Sequence, residues 1–204
     1  MTARTTMTGL INVLRGMTNA GATDYSVNSV SFWSDDQLQT ILDRYATIIR
    51  DEALTAMQTF TAGGAVLVTD YQSSNKFFET TSGGTLRFVV KDYTGGTAGT
   101  ALWSADYERG LVTFVANTSG SAYYLTGYSY DVYAAAADVW YQKAAHASEQ
   151  IDFSADNHNI KRSHIAAAAY KMAQRYEGLS SSNTSVSVEI DRGDMNIERG
   201  YIHA

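Results

Sequence analysis

Residues 122–140 read AYYLTGYSYDVYAAAADVW. The first part, Ala122–Tyr130, is rich in tyrosine with leucine and threonine, residues that suit a pleated, half-buried surface, and it predicts a strand. After Asp131 the texture changes to an alanine-rich helix running to Ile151, with Val132, Ala136, Val139, Trp140 and Ala147 on its inward side. Ser163 then caps a last helix, His164–Gly178, carrying Ile165, Ala168, Ala169, Met172 and Tyr176. Alanine on facing helices permits close backbone approach, so the two helices are expected to pack as an antiparallel hairpin.

Upstream lies a switch of the opposite kind. Ser34-Asp35-Asp36-Gln37 has the form of a capping box, with two acidic residues in the first turn where the helix dipole favours them. Leu38, Ile41, Leu42, Tyr45, Ile48, Ile49 and Leu54 follow at helical spacing, which predicts one helix to about Thr59, ended by Gly63-Gly64. Strands are then expected at Ala65–Tyr71, Lys76–Thr81, Leu86–Tyr93, Ala101–Asp106, Gly110–Ala116 and Ala122–Tyr130, with a hairpin turn over Asp106–Gly110. At the start of the chain, Leu10, Val13, Leu14 and Met17 predict a short helix before Gly21. Asp24–Ser31 and Asp152–Asn159 read as loops.

The fold class predicted is α+β. An antiparallel helical bundle, residues 1–62 and 131–179, holds an inserted antiparallel β module, residues 63–130, built as a sandwich or barrel. Residues 180–204 form a C-terminal extended tail. Within it residues 184–191 alternate, with Val186, Val188 and Ile190 on one side, so a terminal strand is expected to pair within the chain or with a neighbour.

Composition narrows the function. Hydrophobic residues make up 45 % of 204, which suits a folded chain rather than a disordered one. No apolar run approaches the roughly 18 residues of a membrane span, so no membrane partner is expected. Met1–Leu14 lacks the pattern of a secretory signal, which predicts use in the cytosol. Cysteine and proline are absent, so disulfides and thiolate metal sites are excluded, and turns rely on glycine, asparagine, aspartate and serine. Net charge is −6 with no basic cluster, which argues against gripping nucleic acid but suits a passage that DNA slides through.

Motifs for chemistry are missing. His158 and His164, near Asp152 and Asp156, match no common zinc spacing, and a hydrogen-bonded loop explains them. Gly95–Gly99 lacks the lysine and hydroxyl residue of a P-loop. The carboxylate pairs Asp35 with Asp36, Glu149 with Asp152 and Asp191 with Asp194 have nothing to place them in a cleft. No cofactor, metal or catalytic residue is expected, and the chain reads as non-enzymatic. The 14 tyrosines are the remaining anomaly. Those near the strand–helix seam suit core filling, sugar stacking or protein contact. Tyr123, Tyr124 and Tyr128 are the candidate contact residues.

Two segments together resemble a known family. One is Phe32-Trp33-Ser34-Asp35-Asp36-Gln37-Leu38 running into Leu42-Asp43-Arg44. The other runs from Tyr133 through Asp138-Val139-Trp140 and Ile151-Asp152-Phe153-Ser154-Ala155-Asp156 to Ala173. In order and spacing they resemble the head-to-tail connector (adaptor) proteins of tailed bacteriophages, over the helical half of the chain. The resemblance implies a structural protein of the virion neck, assembled in the host cytoplasm as a homo-oligomeric ring, typically twelvefold. Such a ring sits beneath the portal, extends the DNA channel and contacts passing DNA without reading its sequence. It also implies that the tail contacts neighbouring subunits or portal, for which Val186, Val188, Ile190, Ile197 and Tyr201 are the candidates. The β insert departs from the smallest family members, and Tyr123, Tyr124 and Tyr128 would meet tail, nozzle or fibre proteins. The alternative is a carbohydrate- or protein-binding β module on a helical stalk.

Overall fold

The computed structural model describes residues 2–21, 24–27, 30–81, 87–149, 153–155, 158–160 and 163–180. A short 3-10 turn, Thr5–Met7, leads into α1, Thr8–Thr18, which buries Leu10, Ile11 and Leu14 on one face. Asn19 ends it in the left-handed region at φ 50°, two residues before the glycine expected to do so. The stretch read as a loop holds a small hairpin, β1 (Tyr25–Val27) with β2 (Val30–Phe32).

Helix α2, Asp35–Arg44, starts as the sequence predicts. The Gln37 N–H donates to Ser34 Oγ at 3.4 Å, and the Ser34 N–H donates to Gln37 Oε1 at 2.9 Å. It stops at Arg44 rather than near Thr59. Residues 46–60 form two strands, β3 (Ala46–Ala53) and β4 (Thr55–Phe60). Thr47-Ile48-Ile49 is a β-branched run, stiff at χ1 and poor in helix propensity, and β9 (Tyr123–Tyr130) offers it a tyrosine-rich partner. Ile48 stands opposite Tyr128, and Ile49 packs into the β core. A helical spacing of apolar residues was present, but cross-strand pairing outweighed it.

The remaining strands are β5 (Val66–Gln72), β6 (Phe88–Asp92), β7 (Trp103–Asp106) and β8 (Leu111–Phe114). β7 and β8 form the hairpin expected around Asp106–Gly110. The strand expected at Lys76–Thr81 is replaced by an irregular segment that touches β9 through one bridge, Phe78 to Ser129. Phe77 takes φ 56° there, and it packs on the helical core while Phe78 enters the β core. One sheet has the order β3-β9-β6 and the other β4-β5-β8-β7, all neighbours antiparallel. Only Leu54 separates β3 from β4, so the chain passes from an edge of one sheet to an edge of the other across a single buried residue. The two sheets share one core of Leu54, Phe88, Val90 and Leu125 from the first side and Val68, Tyr71, Val112 and Phe114 from the second. They do not close into a barrel.

Helix α3, Val132–Ser148, is capped by Asp131, whose carboxylate accepts from the Ala134 N–H at 2.9 Å. A short hairpin, β10 (Phe153–Ala155) with β11 (His158–Ile160), occupies the stretch read as a polar loop, and α4 follows at Ser163–Glu177. α3 and α4 form a tightly packed pair, with Ala144 and Ala147 buried on one helix and Ala169 and Ala173 buried on the other. The pair is antiparallel: beyond the end of α4, the Ser180 hydroxyl donates to Asp131 at the start of α3, at 2.7 Å. A second core joins Met7, Leu10 and Leu14, then Trp33, Leu38, Ile41 and Leu42, then Tyr130, Val132, Ala135, Ala136 and Val139. β9 therefore contributes Leu125 to one core and Tyr130 to the other.

Candidate functional site

Side chains alternate along β9, and this separates the three candidate tyrosines. Tyr123 lies on the face shared with Leu125, turned into the β core. Its ring centroid is 4.3 Å from that of Phe114 and 5.1 Å from that of Tyr71. Burial pushes its phenol pKa up. Tyr123 is therefore a packing residue with a partly exposed rim. Tyr124 and Tyr128 lie on the opposite, outer face with Thr126 between them, all half-buried.

The outer face is built by three strands. β3 brings Ile48 opposite Tyr128, and β6 brings Val89 opposite Thr126 and Lys91 opposite Tyr124. The Arg87 guanidinium stands 4.6 Å over the Tyr128 ring. Lys91 Nζ donates to Asp51 at 2.6 Å, and the Thr126 hydroxyl donates to the same carboxylate oxygen at 2.9 Å. The Lys91 bond, then the Thr126 bond, hold the Asp51 carboxyl below its usual range. A shallow cleft of about 250 Å³ opens among Ile48, Arg50, Asp51, Lys91, Thr126 and Tyr128. Flat rings, fixed cations and an Ile48 that is 52 % exposed suit contact with another molecule. Among the described residues no three histidine, aspartate or glutamate side chains come together to hold a metal.

Toward Tyr130 the same face is covered, and sequence reasoning missed what covers it. Glu79 is fully buried there. It accepts from Arg4 Nε at 3.1 Å, from the Thr6 hydroxyl at 2.5 Å and from the Tyr130 hydroxyl at 2.6 Å, and Arg87 Nε stands 3.7 Å away. Arg4 also clamps Asp43 of α2 with two bonds, of 2.7 and 3.0 Å. Those Asp43 bonds lead the causes that raise the Arg4 pKa. Burial, and then the bond to Glu79, raise that of Tyr130. This network pins the N-terminal segment and α2 onto the sheet. One signal was available: a carboxylate directly after Phe77-Phe78 has no place in a strand core unless it is paired.

Two further surfaces are exposed. Along β4 and its partner, Phe60 is 70 % exposed and Met57 and Val66 are both open to solvent, while α4 presents Ile165 and Tyr170. Val186, Val188, Ile190, Ile197 and Tyr201 lie outside the described residues. The two segments that resemble phage connectors do meet. Trp33, Leu38, Ile41 and Leu42 share a core with Ala135, Ala136 and Val139, and Arg44 pairs with Asp138 at 3.1 Å.

No protein-family model matches the chain, and comparison with curated proteins and with solved structures gives no match. Among the described residues no helix is long and apolar enough to cross a membrane.

Proposed function

We propose that this chain is a structural adaptor of the neck of a tailed bacteriophage, assembling as a ring beneath the portal and continuing the DNA channel toward the tail. The observation that carries the reading is the union of the two resembling segments. They are far apart in sequence, yet they form one helical core, and the Arg44–Asp138 ion pair joins residues from both. A resemblance scattered over unrelated surfaces would carry less weight.

Two features agree with it. The net charge of −6 would let DNA slide along a channel wall without arrest. The helical part and the sheets present separate exposed faces, as a subunit needs when it meets like copies on one side and tail components on another. In this reading the α3–α4 side meets portal and neighbouring copies. The outer sheet face with Tyr124 and Tyr128 meets a tail, nozzle or fibre protein.

Native mass spectrometry and negative-stain microscopy of the full chain, alone and with a portal protein from the same genome, test the proposal. The expected result is a closed ring of defined stoichiometry, formed at least when portal is present. A strict monomer that ignores portal would overturn it.

A further inference from the structure

We propose that two copies of this chain pair through β4, each β4 running antiparallel to the other about a two-fold axis at Gln58. β4 is the outermost strand of the four-stranded sheet, with β5 on one side and no strand on the other among the described residues. All six of its residues are exposed. Folded proteins ordinarily guard an open edge with charge, proline, a bulge or brevity. The sequence of β4, TAMQTF, contains no charge and no proline, and the extra residue in its register with β5, Thr69, belongs to β5. The other edges are guarded. β3 carries Arg50, Asp51 and Glu52 and bends at Asp51, β6 is covered at Lys91 and Val90 by Thr97 and Ala98, and β7 is four residues long.

The direction of each backbone group along β4 follows from its pairing with β5. Just past β4, the Thr61 N–H donates to the Ala65 carbonyl at 2.9 Å. Hydrogen-bonded and non-hydrogen-bonded pairs alternate along an antiparallel ladder, so Thr59 bonds to β5 while the N–H and C=O of Gln58 and Phe60 point away from it. Val68, which stands opposite Gln58, agrees. Its N–H goes to Asn117 Oδ1 at 3.0 Å and its carbonyl to the Thr118 N–H at 2.9 Å, on the far side of β5. By the same alternation Ala56 also turns its backbone outward. The free edge therefore presents Ala56, Gln58 and Phe60 at even spacing, with Gln58 in the middle.

This spacing makes the edge complementary to itself. With the axis at Gln58, Ala56 stands opposite Phe60 of the second copy, Gln58 opposite Gln58, and Phe60 opposite Ala56. Every outward group then meets an outward group, giving about six ladder hydrogen bonds. A shift of one residue would set outward groups against groups already bonded to β5. The side chains fit the same register. Ala56, Gln58 and Phe60 share the face of Tyr71 and Val68, and Phe60 is 70 % exposed there. In the pair each Phe60 ring lies beside a small Ala56, and the two Gln58 amides, each both donor and acceptor, face one another. On the opposite face Met57, also open to solvent, meets Thr59. An edge without charge offers nothing to an ionic partner and raises no repulsion against its own copy.

A two-fold contact closes at two copies, so it differs in kind from the head-to-tail contact of a ring and needs no portal. Its failure would leave the connector reading standing, and the reverse holds as well. Because the chain has no cysteine, engineered thiols report without background. Full-length Gln58→Cys protein is oxidised mildly beside Thr94→Cys, whose site is an exposed turn. Opposed residues on the axis stand ~5.5 Å apart at Cα, within disulfide reach, so Gln58→Cys should link into dimers roughly tenfold faster than the control. Differently tagged Ala56→Cys and Phe60→Cys chains, oxidised as a mixture, should link to each other in preference to themselves. Either of two results would overturn the proposal. One is a Gln58→Cys chain that links no faster than Thr94→Cys, as when a segment of its own chain covers the edge. The other is an Ala56→Cys chain that links to itself as readily as to Phe60→Cys.

Discussion

Glu79 shows how one side chain can decide whether two parts of a chain hold together. It is a carboxylate buried in a protein otherwise cored by apolar groups, and it survives there because Arg4, Thr6 and Tyr130 all donate to it. The donors come from the N-terminus and the end of β9, so the bonds tie the helical part to the sheet. Removing the carboxylate takes that acceptor from two hydroxyls and leaves Arg4 with Asp43 as its carboxylate partner. Glu79→Ala should therefore lower unfolding stability by about 3 kcal/mol or more, and Glu79→Gln by less because the amide oxygen still accepts. Urea denaturation of both variants checks this. A loss below ~0.5 kcal/mol for the alanine variant, the size of an ordinary surface substitution, would mean that the network is idle.

At the scale of elements, the turn after β7 makes a similar demand on one backbone position. Gly110 sits at φ +69°, its N–H donating to the Asp106 carbonyl and its carbonyl accepting from Ser73. A Cβ at this position would stand 2.2 Å from the Asn75 carbonyl oxygen, whereas Gly120, at φ +79°, faces open space. Gly120→Ala should cost about 1 kcal/mol, for the left-handed backbone alone. Gly110→Ala should cost at least about twice that, because backbone must also move. Thermal unfolding of the two variants gives the order, and equal losses would refute the steric account. Local chemistry of this kind was legible in the sequence. The capping box at Ser34 and the Asp106–Gly110 turn stand where short-range rules put them. What escaped was decided over distance. Nothing within residues 45–54 reveals that β9 will arrive to pair with them, so their amphipathic spacing taken alone predicts helix. The outer-face site was half legible for a related reason. Tyrosine content marked β9, but only its pairing with β3 and β6 tells which tyrosines face out. Glu79 and Arg4 went unread because their meaning lies in each other.

At the scale of the molecule, β9 belongs to both cores, through Leu125 on one side and Tyr130 on the other. The two cores are thus expected to melt together. Trp33 lies in the helical core and Trp103 packs against the β core, which gives each a fluorescent reporter. In proteins retaining only one or the other tryptophan, the denaturation midpoints should coincide. Midpoints separated by well over the fitting error would show that the helical part and the sheets unfold independently.

The pairing of Ala46 with Tyr130 also bears on how the chain is made. A ribosome releases the chain from its N-terminus, and contacts between distant residues must wait for the later partner. α1 and α2 leave the ribosome early with Leu10, Leu14, Leu38 and Leu42 on their faces, and the residues that bury them, Tyr130 to Val139, come only after every other strand of the two large sheets has been synthesised. During that interval the nascent chain exposes apolar helix faces and an unpaired β3, so the time between translating residue 44 and residue 140 is the window in which it most needs a chaperone.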